Sequence, residues 1–250
     1  EETTAQAWFA ALADQVDDRQ AELDHWLART PERPTDLGVD LDPTRDRDAT
    51  VEYAAHRVRE DVTEAVLTSV PEAFGATAND VLLAALARAV RGWQLARGIA
   101  DDRPVSVLSE GHGRSEEIVA SGSRPYRADL SRTVGWFTTV APVILDPSGD
   151  MIHAVKAAKE ERLNQPDAGV GFGILRYRAG TELVSRPLPS IAFNFFGSGS
   201  ARGANTDATH VVPFTPAPEA PGLPPTVAGR MVASAAVSFN VSTVHTDRGR

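Results

Sequence analysis

The stretch from Thr77 to Gly98 most constrains the fold, because its apolar residues recur at helical spacing and the next apolar segment switches to a period of two. Thr77, with Asp80 three residues on, makes a capping-box-like start. Leu82, Leu86, Val90 and Trp93 then form one stripe before Gly98 ends the helix. Residues 104–110 (PVSVLSE) read as a buried strand, with Ser106, Leu108 and Glu110 on one face and Val105, Val107 and Ser109 on the other. The alternation continues downstream: a strand over 138–146, a helix from Asp150 to about Leu163, and strands over 190–196 and 231–244. In the last of these, Val237, Phe239 and Val241 alternate with Ser238, Asn240 and Ser242. Intermixed helices and strands of this kind predict an α/β domain with a mixed sheet flanked by helices.

Upstream the signals are weaker. Trp8, Leu12, Val16, Leu23, Trp26 and Leu27 are spaced for one long helix or two short ones, broken by the polar run Asp17-Asp18-Arg19-Gln20. Residues 29–49 carry Pro31, Pro34 and Pro43 and no period, which predicts a surface connector. Alternation from Thr50 to Val58 predicts a strand, followed by a helix that Asp61 can cap and that reaches about Val70. The loop 197–230 holds six prolines among Gly and Ser and is expected to be mobile or extended. No internal repeat is present.

Composition removes whole classes of function. A chain of 250 residues with 42% hydrophobic content can bury a sizeable core. Its net charge of −9 gives no basic face for phosphates, so nucleic acid is not an expected partner. No apolar run approaches the roughly 20 residues of a membrane span. The start, EETTAQAW, lacks the basic-then-apolar order of a signal peptide, so a cytoplasmic location is expected. With no Cys, thiol catalysis, disulfides and Cys-ligated zinc are excluded. The six His residues show no paired ligand spacing, and no metal site is expected.

One segment concentrates chemical potential. EGHGR, Glu110 to Arg114, puts a carboxylate at the C-terminal end of a strand and follows it with two glycines that permit close backbone approach. A Glu held in a partly desolvated pocket would be pushed toward neutrality and could serve as general acid or base, with His112 and Arg114 as tuning neighbours. The plainer reading is a solvated Glu beside a flexible turn. Other patterns have bland explanations. His56 with Asp61 straddles a strand-to-helix junction, and Gly169, Gly171 and Gly173 lack dinucleotide-fingerprint spacing. Asn240-Val241-Ser242 fits a glycosylation triplet only by chance.

Taken in order, Glu110-Gly111-His112-Gly113-Arg114, the run Asp129 to Thr138 (DLSRTVGWFT) leading to Pro142-Val143, Gly171-Phe172-Gly173-Ile174-Leu175-Arg176-Tyr177, and Phe193-Asn194-Phe195-Phe196-Gly197 resemble the ordered motifs of epimerization domains of nonribosomal peptide synthetases. The stretches Glu22 to Trp26 and Asn79 to Ala87 resemble the wider condensation-domain superfamily. The resemblance implies a chloramphenicol-acetyltransferase-like fold, in which two α/β subdomains form a V around a tunnel. The chain resembles the C-terminal subdomain only, since the HHxxxDG motif of the other half is absent, and it stops before the family's final helix. Residues 1–49 would be a lead-in helix and linker, and 50–250 the α/β core.

For a complete domain, the resemblance implies inversion of the α-carbon of an aminoacyl or peptidyl thioester, carried on the phosphopantetheine of a peptidyl carrier protein, with no cofactor bound by the domain itself. By carry-over, Glu110 and Asn194 are catalytic, Glu110 moving the proton on one face and Asn194 donating to substrate or enolate. His112, Arg114, Arg132, Trp136 and Phe195 are assigned to the substrate tunnel, with Arg132 and Trp136 ordering its loop. Phe195 stands where the family commonly has Tyr, which removes a hydroxyl. The N-terminal subdomain, in the same or a separate chain, is the second expected partner, and the apolar face meeting it is expected to be uncovered here. A condensation-type acyltransferase subdomain and a non-catalytic carrier-docking scaffold are the alternatives.

Overall fold

The long helix begins where its capping box requires. In the computed structural model, which describes residues 2–30, 37–39, 41–99, 103–120, 122–198 and 229–243, α5 spans Ala78–Ala96 with Thr77 as N-cap. The Thr77 hydroxyl accepts from Asp80 N and the Asp80 carboxylate from Thr77 N, so two of the helix's orphan donors are satisfied reciprocally. Its buried stripe is broader than the predicted one, running through Val81, Leu83, Ala84, Leu86, Ala87 and Val90, while Trp93 lies at the surface under the Arg97 guanidinium.

Four strands follow: β1 (Val105–Gly111), β2 (Thr139–Leu145), β3 (Ile191–Ser198) and β4 (Val237–Thr243). They form one sheet in the order β2-β1-β3-β4, with β1 antiparallel to β2 and parallel to β3, and β3 parallel to β4. One face, carrying Val105, Val107, Val143, Leu145, Ile191 and Phe193, packs against α5 and against α6 (Met151–Leu163, capped by Asp150). The mixed sheet flanked by helices matches the expected class.

The opening stretch resolves into two helices, α1 (Ala5–Ala13) and α2 (Leu23–Arg29), and the polar run sits in the turn and 3₁₀ segment between them. Trp8 and Trp26 anchor these helices in two smaller clusters, the first with Phe137, Val170 and Ile174, the second with Phe172, Leu175 and Leu183. A buried charge network ties them to the sheet. Arg29 grips Glu161 of α6 through two bonds of 2.8 and 2.7 Å, Glu161 also accepts from Ile144 N, and Arg162 pairs with the fully buried Asp80 at 2.8 Å.

Three expectations need correction. Residues 51–59 form no strand; they are exposed throughout, with Tyr53 at 86%, because no neighbouring strand among the described residues offers its backbone a ladder. The helix after them starts at Glu60 with Arg59 as N-cap rather than Asp61. It divides at Thr68 into α3 (Glu60–Leu67) and α4 (Ser69–Phe74). A helix absent from the sequence reading, α7 (Val170–Tyr177), covers one end of β2. The expected loop 197–230 lies, over 199–228, outside the described residues. Among those described, no single helix is long and apolar enough to cross a membrane.

Entry to α6 carries a pH-dependent contact. Asp146 at the end of β2 accepts from His153 Nε2 at 2.9 Å and from Ser148 N at 2.8 Å, and these bonds, His153 first, hold its carboxyl down at about 2. A depressed carboxyl contributes stability above its unfolded value of 3.8, and that contribution is lost as pH falls toward about 2. Asp146→Asn is expected to unfold at lower denaturant than the native chain at pH 6, with the gap shrinking as pH falls toward 2; equal midpoints at pH 6 would remove the contact from the stability account.

Candidate active site

Glu110 stands on β1 next to Asn194 on the parallel neighbour β3, and Asn194 Nδ2 donates to Glu110 Oε2 at 2.7 Å. Both residues are half-buried. They project from the face opposite α5 and α6, as the strand's period of two requires. Toward the Glu110 end that face is accessible: Val140 on β2, which pairs with Glu110, is exposed. Burial pushes the Glu110 carboxyl above its ordinary value of 4.5. Desolvation is the cause, and neither His112 nor Arg114 contributes to it.

The glycines after Glu110 have separate jobs. A Cβ on Gly111 would lie 2.8 Å from Thr139 Oγ1 on β2. Gly113 has φ +63°, and a Cβ there would fall on the Phe137 carbonyl oxygen, so the turn packs backbone to backbone against the segment 131–137. Arg114 completes the docking. Its guanidinium donates to the carbonyls of Leu130 (3.1 Å), Thr133 (3.0 Å) and Gly135 (3.4 Å) and lies 4.2 Å over the Phe137 ring. Arg114 therefore orders this loop. Arg132 makes an exposed salt bridge to Glu2 at 3.1 Å, which links the loop to the residues just ahead of α1, and Trp136 is 83% exposed. His112 is exposed, its Nδ1 accepting from Arg114 N.

Phe195 is separated from this constellation. It alternates with Asn194, pairs with Val241, and packs into the core beneath α5 and α6, away from the Glu110 face. Phe196, the next residue, is 62% exposed and lies where the β3–β4 register shifts between Phe195 and Ser198.

A second loop closes in beside Gly111. Asp167, Ala168 and Gly169 all take left-handed φ, at 40°, 52° and 84°. Thr139 Oγ1 donates to the Ala168 carbonyl at 3.5 Å. The buried Arg19 fixes this loop by bonding Asp167, Glu22 Oε1 (2.8 Å) and the Ile118 carbonyl (3.3 Å). Glu22 accepts in turn from Trp26 Nε1 at 2.9 Å, and its carboxylate occupies the space where a Cβ of Gly171 would stand. Thus the Glu22 to Trp26 and GFGILRY segments, distant in sequence, meet behind the site. A depression of about 510 Å³ nearby is lined by Arg114, Glu116, Leu130, Ser131, Arg132, Thr133 and Val134. Neither Glu110 nor Asn194 lines it. No cluster of three or more metal-ligating side chains occurs among the described residues.

The condensation-domain family model matches residues 7–210. The chain is 32% identical over 213 residues, 82% of its length, to a linear gramicidin synthase of Brevibacillus parabrevis, and 39% identical over 166 residues, 66% of its length, to chondramide synthase of Chondromyces crocatus. It spans 4% of each of those relatives. Among solved structures, the epimerization domain from the third module of tyrocidine synthetase B superposes with a TM-score of 0.60 at 27% identity, covering 79% of this chain and 44% of that one. The X-domain from teicoplanin biosynthesis shares the fold, with a TM-score of 0.50 at 15% identity over 97% of this chain and 50% of that one. With the family model spanning most of its length and relatives above 30% identity, this chain belongs to the condensation-domain superfamily of nonribosomal peptide synthetases.

Proposed function

We propose that the chain is the C-terminal subdomain of an epimerization domain, which inverts the α-carbon of an aminoacyl or peptidyl thioester presented on the phosphopantetheine of a carrier protein. The observation that carries this reading is the Glu110–Asn194 pair: a carboxylate raised by burial, at a strand end, bonded at 2.7 Å by a carboxamide with a second N–H to spare. The likeness to the tyrocidine synthetase epimerization domain supports it. A thioester makes its Cα–H more acidic than an amide would. In the forward step the Cα–H bond breaks, its proton passes to a Glu110 oxygen, and its electron pair enters an enolate whose oxygen takes the negative charge. In this reading the second N–H of Asn194 donates to that oxygen. Reprotonation from the opposite face falls to a group outside this chain. No bound cofactor is required, and the carrier protein, the partnering first subdomain and a cytoplasmic setting belong to the same reading.

The second reading is condensation-type acyl transfer, favoured by the match to the condensation-domain model. Cα deuterium wash-in from heavy water separates the two. On an aminoacyl-phosphopantetheine carrier, the chain combined with a first subdomain should incorporate deuterium at Cα, and the chain alone should not. Amide formation without Cα exchange would instead establish the transferase.

A further inference from the structure

The register of the sheet continues the site across one more strand. Asn194 pairs directly with Asn240 on β4, so a row on one face reads Val140, Glu110, Asn194, Asn240 across all four strands. Neighbours in register point to the same side. Asn240 is therefore on the Glu110 face, together with the exposed Ser238 and Ser242, while Val237, Phe239 and Val241 pair with Ile191, Phe193 and Phe195 on the opposite face, where Val241 packs against the core and Val237 and Phe239 stay exposed. Asn240 is exposed, and its carboxamide has no partner among the described residues. β4 thus presents a stripe of one carboxamide and two hydroxyls to a face whose centre is a carboxylate and a carboxamide already bonded together.

We propose that Asn240 is a specificity-determining residue that binds the peptide unit preceding the reacting residue, selecting peptidyl over single aminoacyl thioesters. The inference rests on the epimerase reading of Glu110. Its distances favour this unit. The Glu110 carboxylate is drawn to 2.7 Å from Asn194, and Asn240 stands one strand further, about 4.8 Å on. Glu110 and Asn240 are thus two strands apart, about 9.6 Å between backbones, a span that holds a Cα within proton-transfer reach of Glu110, the next Cα about 3.8 Å on, and a hydrogen bond to Asn240. The chemistry matches as well: a carboxamide both donates and accepts, as a peptide group does, and an aminoacyl thioester has no amide at that place.

The test compares dipeptidyl and aminoacyl pantetheine thioesters on the complete two-subdomain protein, native and Asn240→Ala. It uses Cα deuterium wash-in and, in parallel, equilibrium binding of the corresponding non-reactive pantetheine amides. Loss of a hydrogen-bonded pair predicts a fall of about 5-fold in the dipeptidyl-to-aminoacyl ratio of kcat/KM, carried by KM, and a matching fall in the binding ratio. Asn240→Ser, which keeps a donor and an acceptor, should recover part of that ratio. An unchanged ratio overturns the proposal, and so does an equal fall for both substrates in kcat, which would make Asn240 a general structural or enolate-facing group. A changed binding ratio in a native protein that exchanges no Cα proton would leave Asn240's role standing and remove the epimerase reading.

Discussion

Glu110→Gln should lower Cα exchange in the two-subdomain protein by about 10³-fold, within the span that removal of a general base covers. Gln keeps the length of the side chain and an oxygen that can still accept from Asn194, so carrier binding and fold should persist. The direction of the Glu110 shift provides an internal check. A carboxyl raised by burial holds its proton more tightly folded than unfolded; its contribution to stability is complete below the unfolded value of 4.5 and is lost as pH rises through the higher folded value. The Gln variant is therefore expected to be at least as stable as the native protein at pH 7 and to have no advantage at pH 4. In the native protein, exchange should rise with pH through a midpoint above 4.5, because the accepting carboxylate must be ionised. Exchange that survives in Glu110→Gln would sink the assignment, whatever the stability data show.

Among the described glycines, Gly113→Ala is expected to be the most damaging added methyl. At φ +63° an alanine carries a left-handed penalty of about 1–2 kcal/mol. Its Cβ would also overlap the Phe137 carbonyl, a backbone group that cannot swing aside, for which about 1–3 kcal/mol is typical of overpacking. The combined loss, about 3 kcal/mol or more, should shift the denaturant midpoint sharply and release the segment that Arg114 holds, so that amides of residues 131–137 exchange faster with solvent. Gly173→Ala is the control. It lies in α7, where an added Cβ would meet nothing within 4 Å, and it has no positive φ. The variant should be neutral or more stable by up to about 1 kcal/mol, the helix preference of Ala over Gly. Equal midpoints for the two variants would mean that the EGHGR turn does not dock on the Phe137 segment.

These two glycines show where sequence reading stops. Both belong to segments that resemble family motifs, and nothing in the string separates the glycine that meets a carbonyl from the one that meets open space. Only the approach of Phe137, 24 positions later in the chain, makes that distinction. Arg132 and Trp136 are legible as members of the right loop, but the loop's organiser is Arg114, since three inward carbonyls and the Phe137 ring converge on its guanidinium. The resemblance assigns Phe195 to the tunnel through its neighbour in the motif. Adjacent strand residues face opposite ways, and the structure packs Phe195 against the core while Asn194 meets Glu110 on the other face.

What the sequence determined by itself was local and periodic. The capping box at Thr77 and Asp80, the faces of β1 and the polar-apolar alternation of β4 all follow from interactions a few residues apart, which a string records directly. The same alternation over residues 51–59 formed no strand, because a strand needs a partner that its own residues do not supply. Tertiary structure alone decided which strands became neighbours, and hence that Glu110, Asn194 and Asn240, separated by 84 and 46 positions, share one row. It also decided that Arg19 would hold the loop beside Gly111. Register across a sheet is set by the packing of whole elements, so the composition of the site emerges only when the core beneath it has formed.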